Sequence, residues 1–305
     1  MALGISTCWW GGKEGKGDLI PAQALDMGFG GLELDYRLTP SMLANLRRAL
    51  KGSLKVWSVH NVFPSPVELG PLAGSTADPM LLSSLDRDER DRAVKLALRS
   101  IQHAHDLEAP VVVVHLGRVD MQDPTSRLEE LFRKGVSWSP EGQEAVAELR
   151  SVRDSLRQPN LDAVLFSLEK INKEAERRSV LVGIENRLHF HEIPDLWEIG
   201  FILDTFAGGN LRYWHDVGHA GVQEKLGILR QRELLERYSD QLVGLHLHDV
   251  RDLEDHHAPG RGDVDFREVA GCMAAQAVQI LEVRSSVPRW ELLEAVQVLA
   301  HAGFL

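Results

Sequence analysis

Tyr213-Trp214-His215-Asp216-Val217-Gly218-His219 reads as a buried strand that ends in an acid and passes at once into a helix opened by a histidine. A strand end carries its side chain to the rim of a sheet. A residue three positions on, in the first turn of the next element, points back at the same spot. The heptapeptide alone also fits a plainer reading, a helix-capping Asp followed by a solvated His. What decides between the two is whether other segments repeat the pattern.

They do. Pro110 introduces Val111-Val112-Val113-Val114-His115, an unbroken β-branched run of the kind buried on both faces in parallel sheets. Toward the N-terminus, strands are expected at Leu3 to Thr7, Leu32 to Tyr36 and Lys55 to His60. Helices are expected at Leu19 to Met27, at Pro40 to Leu50 behind a Thr39 cap, and at Asp86 to Leu107 with an apolar stripe at Val94, Leu98 and Ile101. Toward the C-terminus the strands are Val180 to Glu185, Leu211 to Asp216, Leu242 to Asp249 and Val278 to Val283. They alternate with helices at Pro194 to Phe206, Val222 to Tyr238, Phe266 to Ala275 and Pro288 to Ala300. The longest excursion, at about 118–160, contains a helix from Glu141 to Leu156, and another helix follows at Leu161 to Arg177. Eight strand–helix units with no linker or composition break predict an α/β fold, a (β/α)8 TIM barrel, as a single domain over residues 1–305. A doubly wound sheet is the alternative. It is disfavoured because Trp9-Trp10-Gly11-Gly12 follows the first strand in place of a glycine-rich phosphate loop.

Composition narrows the function. A net charge of −11 weighs against nucleic acid, which needs a local basic face, and loop one offers only Lys13 and Lys16, loop two only Arg37. Cys8 and Cys272 are far apart, so neither a disulfide framework nor a thiolate metal site is expected and a reducing, cytoplasmic setting is the default. Neither a signal peptide nor a membrane span is expected.

The expected strand ends carry His60, His115, Glu185, Asp216 (with His219 behind it), His246 with His248, and Glu282. A single strand-end His is more often structural than a ligand. Six consecutive strands delivering nitrogen and oxygen donors to one rim point instead to a divalent ion: Zn, Mn, Fe, Co or Mg. Clustered acids would otherwise repel one another and take up protons, and a cation removes that penalty.

In these motifs the chain resembles the xylose-isomerase-like TIM barrels, which include sugar isomerases and epimerases and endonuclease IV-type enzymes. The resemblance rests on Val59-His60, Val114-His115-Leu116-Gly117, Gly183-Ile184-Glu185-Asn186, His215 to His219, His246-Leu247-His248-Asp249, His256 to Phe266 and Leu281-Glu282. It implies that Glu185, Asp216, His246 and Glu282 are the core metal ligands and that His219 touches substrate. The likeness to endonuclease IV extends to His60, His115, His219 and His256 as additional metal or substrate contacts. The acid two residues before His256 is Glu254 where Asp is expected, with Asp255 as a substitute. His248 is expected to support the site structurally.

Two chemistries use such a rim. In a metal-dependent sugar, polyol or keto-acid isomerase or epimerase, Glu185 and Glu282 would be catalytic, exchanging a proton from opposite faces of a chelated hydroxycarbonyl. Trp9, Trp10 and Phe63 would offer an apolar wall to the sugar, and Arg251, Arg187 and Arg284 contacts to its oxygens. In a phosphodiester hydrolase of the endonuclease IV type, two or three ions would hold the phosphate. A non-catalytic metal-binding barrel is the least favoured reading, because both glutamates are intact. The first reading is preferred, with a carbohydrate-like small molecule as partner, no nucleotide cofactor, and the excursion near 118–160 as a lid or a homo-oligomer contact.

Overall fold

The computed structural model describes residues 3–11, 17–50, 52, 54–273 and 276–305. Its strands are β1 (Gly4–Ser6), β2 (Gly31–Leu34), β3 (Lys55–His60), β4 (Val111–Val114), β5 (Leu181–Glu185), β6 (Leu211–Asp216), β7 (Leu242–Leu247), β8 (Asp249–Arg251), β9 (Glu254–His257) and β10 (Val278–Leu281). Eight of them close a barrel in the order β1-β10-β7-β6-β5-β4-β3-β2, every neighbouring pair parallel. A closed ring excludes the doubly wound sheet. The remaining two, β8 and β9, form an antiparallel hairpin beyond the end of β7. β7 therefore stops at Leu247, short of the expected Asp249, which instead opens the hairpin.

The helices are α1 (Ile20–Asp26), α2 (Pro40–Ala49), α3 (Arg87–Asp106), α4 (Thr125–Arg133), α5 (Pro140–Leu156), α6 (Gln158–Arg178), α7 (Leu196–Thr205), α8 (Val217–Lys225), α9 (Gln231–Tyr238), α10 (Phe266–Cys272) and α11 (Arg289–Ala302). Their starts follow local chemistry: the Thr39 hydroxyl accepts from Met42 N at 3.3 Å, and Asp195 and Glu198 form a capping box at the head of α7. The helix expected from Val222 to Tyr238 is two helices, α8 and α9. Gly227 breaks it at φ +76°, and a Cβ there would lie 2.4 Å from the Ser137 carbonyl oxygen. The long excursion is packed: Leu128 of α4 and Val146 of α5 share an apolar cluster with Phe190, Val222, Leu226 and Val250. Residues 274–275, where the helix from Phe266 was expected to end, and Gly12, Lys13 and Lys16 lie outside the described residues. Among the described residues no helix is long and apolar enough to cross a membrane.

Strand periodicity positions the site. Val112 and Val114 join the core beneath the helices, whereas Val111 and Val113 join a separate cluster with Trp214 and Ile280. Alternate residues thus face opposite sides of the sheet, and the second set fills the barrel. Gly244 leaves room for the Trp214 ring, since a Cβ there would come within 2.1 Å of it. Continuing the inward parity toward the C-terminal ends of the strands gives His60, His115, Glu185, Asp216, His246 and Glu282. A layer of charge therefore rests on an apolar floor, with the Trp214 ring edge-on to His246 at 5.0 Å.

Candidate metal centre

Glu185, Asp216, His246 and Glu282 are all buried, and one donor atom from each lies within 4.8 Å of the others. His246 Nδ1 is the hub, 2.8 Å from Glu185 Oε1, 3.0 Å from Glu282 Oε2 and 3.5 Å from Asp216 Oδ2. The opposite nitrogen, Nε2, lies 2.9 Å from the carboxylate of Glu33, a residue absent from the expected set. Asp216 also anchors α8, accepting from His219 N at 2.6 Å, so the cap and the rim acid of the opening heptapeptide are one residue. Gly218 is required beside it, because a Cβ would fall 2.0 Å from the His248 ring.

The electrostatics favour a cation here. Burial alone would lower the His246 pKa, but Glu282, Glu33 and Glu185 raise it well above the usual imidazole value. Burial likewise opposes ionisation of Glu185, yet His115 and His246 hold its carboxyl well below the usual range. Glu185 Oε2 is buried without a well-aligned hydrogen bond, its nearest partner being His115 Nε2 at 2.7 Å. Three carboxylates and one imidazole, close-set and free of sulfur, fit a divalent ion of borderline or hard character.

Two further groups adjoin this one. His60, His115 and Glu185 form a second set of donors within 4.8 Å. His115 Nδ1 is 3.0 Å from Asp78, which the loop after β3 brings back over the rim, and Asp78 also meets Arg187 Nη2 at 3.2 Å. Burial works against a charged His115, but Asp78 and Glu185 raise its pKa to about 9. The third group is His248, His256 and Glu282. His248 Nε2 lies 3.0 Å from Asp216 and its Nδ1 accepts from His256 N, so both nitrogens are engaged within the protein.

Not every candidate converges. Glu254 is exposed on the hairpin, 3.4 Å from Arg284, and does not reach the cluster; Asp255 points inward instead, 3.0 Å from His256 and 3.8 Å from His219 Nε2. Arg251 is exposed and is paired across the hairpin with Glu254. Phe63 is sealed in the core with its ring edge-on to His103 of α3, and Trp10 is buried with its indole bonded to Gln23, so neither offers an open face to a substrate. Trp9 is half-buried, its indole donating to the Val287 carbonyl. Arg187 is buried between Asp78, Glu192 and Glu185, with Nη1 and Nε lacking hydrogen-bond partners.

Glu33 and Asp78 escaped the sequence reading for different reasons. Glu33 lies inside Leu32-Glu33-Leu34, and an acid at an inward position of a buried strand is itself the signal. Asp78 lies in a proline-rich loop, where nothing local marks it.

A family model described as xylose isomerase-like TIM barrel matches residues 21–300. The chain belongs to that family. Among solved structures, a D-tagatose 3-epimerase-like protein is 18% identical with a TM-score of 0.70, the match covering 99% of this chain and 97% of that one. The 3-keto-D-glucoside 4-epimerase YcjR from E. coli is 15% identical with a TM-score of 0.69, covering 99% of both chains. D-psicose 3-epimerase from Clostridium cellulolyticum H10 is 13% identical with a TM-score of 0.69, again covering 99% of both. At these identities the likeness is one of fold. A search of curated proteins found no match.

Proposed function

We propose that this barrel is a divalent-metal-dependent isomerase or epimerase acting on a small sugar, polyol or keto-acid. The observation that carries the reading is the convergence of Glu185 and Glu282 on His246 Nδ1 from strands three places apart in an eight-strand ring. Glu185, Asp216, His246 and Glu282 would hold the ion. When bound, it would chelate a carbonyl and its neighbouring hydroxyl and acidify the intervening C–H. One glutamate then takes that proton from its face of the substrate, and the other delivers a proton to the opposite face. The burial of Glu185 Oε2 supports such a transfer; His219 and Asp255 would contact substrate oxygens, and the half-buried Trp9 would offer an apolar ring edge. The solved epimerases that share the fold act on sugars, which supports the substrate class.

Glu282→Gln tests the assignment. The variant should fold but lose exchange of solvent deuterium into a converted substrate, and retained exchange would remove Glu282 from the proton transfer. A second reading, phosphodiester hydrolysis with two or more ions, is favoured by one observation, the His60, His115 and Glu185 group that shares Glu185 with the first. Counting ions in the purified protein separates them: one per chain supports proton transfer, two or three hydrolysis.

A further inference from the structure

Glu33 has no part in the proton transfer just described, yet it is a carboxylate with no exposed surface. Ser58 Oγ donates to its Oε2 at 2.8 Å, and its two oxygens lie 2.9 and 3.1 Å from His246 Nε2. A neutral imidazole has one N–H and one lone pair, and the partner of the first decides where the second points. In the neutral form that ligates a cation, with Nε2–H directed at Glu33, the lone pair stands on Nδ1, the nitrogen that faces Glu185, Asp216 and Glu282. We infer that Glu33 is a positioning residue, holding His246 in the tautomer and orientation that present Nδ1 to a divalent cation. A carboxylate behind a ligating imidazole also makes the ligand more basic, and the loss of such partners typically weakens metal binding by about 10- to 100-fold. Glu33 is absent from each of the three donor groups, so it stands behind the site and not in it.

The inference rests on the metal reading, and the experiment keeps the two apart. The probe is Co2+, titrated into metal-free protein in competition with a chromophoric chelator, with the visible absorption of the bound ion as a second readout. Wild type should bind. Glu33→Gln, close to isosteric, should retain the melting temperature of the metal-free protein but weaken Co2+ by about 10- to 100-fold and alter its absorption spectrum. Ser58→Ala, which removes the hydroxyl that holds Glu33, should shift affinity in the same direction by less. No Co2+ binding by wild type overturns the metal reading and this inference with it. Unchanged affinity and spectrum in folded Glu33→Gln overturn the inference alone. Should Glu33→Gln fail to fold, Ser58→Ala decides, weakened affinity supporting the assignment and unchanged affinity overturning it.

Discussion

Arg153 on α5 and His246 on β7 are both sealed from solvent and both meet more than one carboxylate, yet their surroundings balance charge differently. Around Arg153 both terminal nitrogens are fully engaged, and only Nε lacks a hydrogen-bond partner. Nη1 donates to Glu198 Oε1 and Asp195 Oδ2, and Nη2 donates to Glu198 Oε2 and the Glu192 carbonyl, all within 2.9 Å. Around His246, one imidazole faces four acids, Glu33, Glu185, Asp216 and Glu282, and Glu185 Oε2 has its nearest partner in His115 at 2.7 Å. Burial of charge does not by itself mark a site, since a matched guanidinium–carboxylate pair is architecture. Excess like charge in an enclosure, held by a closed barrel, is relieved by a counter-ion or by proton uptake.

The sharpest way to break the comparison is to remove Arg153. Arg153→Met should leave Glu198 buried without its cation and cost about 3–5 kcal/mol of stability, because breaking a buried pair strands the remaining charge. Glu198 already has its pKa raised by burial despite Arg153, so the stranded carboxyl should also take up a proton more readily. Denaturant unfolding measures the loss. Below the unfolding transition the variant should still bind Co2+ like wild type, and a loss of both together would mean that the two regions are not separable.

The rim should respond differently, through what metal adds to its stability. Asp216→Asn removes one negative donor while an amide oxygen can still cap α8 at His219 N. Burial opposes ionisation of Asp216, but His219, His248 and His246 hold its carboxyl well below the usual range, so the metal-free variant should be less stable than metal-free wild type. What should vanish is stabilisation by metal: an ion at 100 times its Kd adds about 2.7 kcal/mol to a protein that binds it only when folded. Melting with a chelator and with excess Mn2+ gives this gap for each protein. An equal gap in both would show that Asp216 is not a ligand.

Much of this was readable beforehand because two simple periods coincide. Val111 to Val114 announced a strand buried on both faces, and period two along each strand then delivered His60, His115, Glu185, Asp216, His246 and Glu282 to the same inner face. What stayed hidden depended on contacts remote in sequence. Asp78 meets His115 across 37 residues, and Glu33 meets His246 across 213. The β8–β9 hairpin was equally hidden. It follows from Asp249, a buried carboxylate that accepts from the backbone N–H groups of Val250, Gly260, Gly262 and Val264 and so folds the Gly-Arg-Gly segment back on itself. Its identity as an organiser is clear only once those amides are near.

The hairpin also supplies the finest contrast, between adjacent acids. Family resemblance alone selects Glu254, two residues before His256, whereas the hairpin turns Glu254 to solvent and Asp255 inward. Glu254→Ala should change stability by no more than about 0.5 kcal/mol, as expected for an exposed ion pair, and leave Co2+ stoichiometry unchanged. Asp255→Asn should act on His256, where burial lowers the imidazole pKa but the hydrogen bond and charge of Asp255 raise it to about 9. That raised value means that the pair stabilises the fold fully below the ordinary imidazole pKa of about 6.5 and loses the contribution as pH climbs through about 9. The stability difference between wild type and Asp255→Asn, measured on metal-free protein, should therefore be present at pH 6 and gone above about 9, while the His256 titration followed by NMR moves down. A reversal, with Glu254→Ala moving the His256 titration and Asp255→Asn leaving it in place, would restore the spacing that the resemblance suggested and would require a different hairpin register.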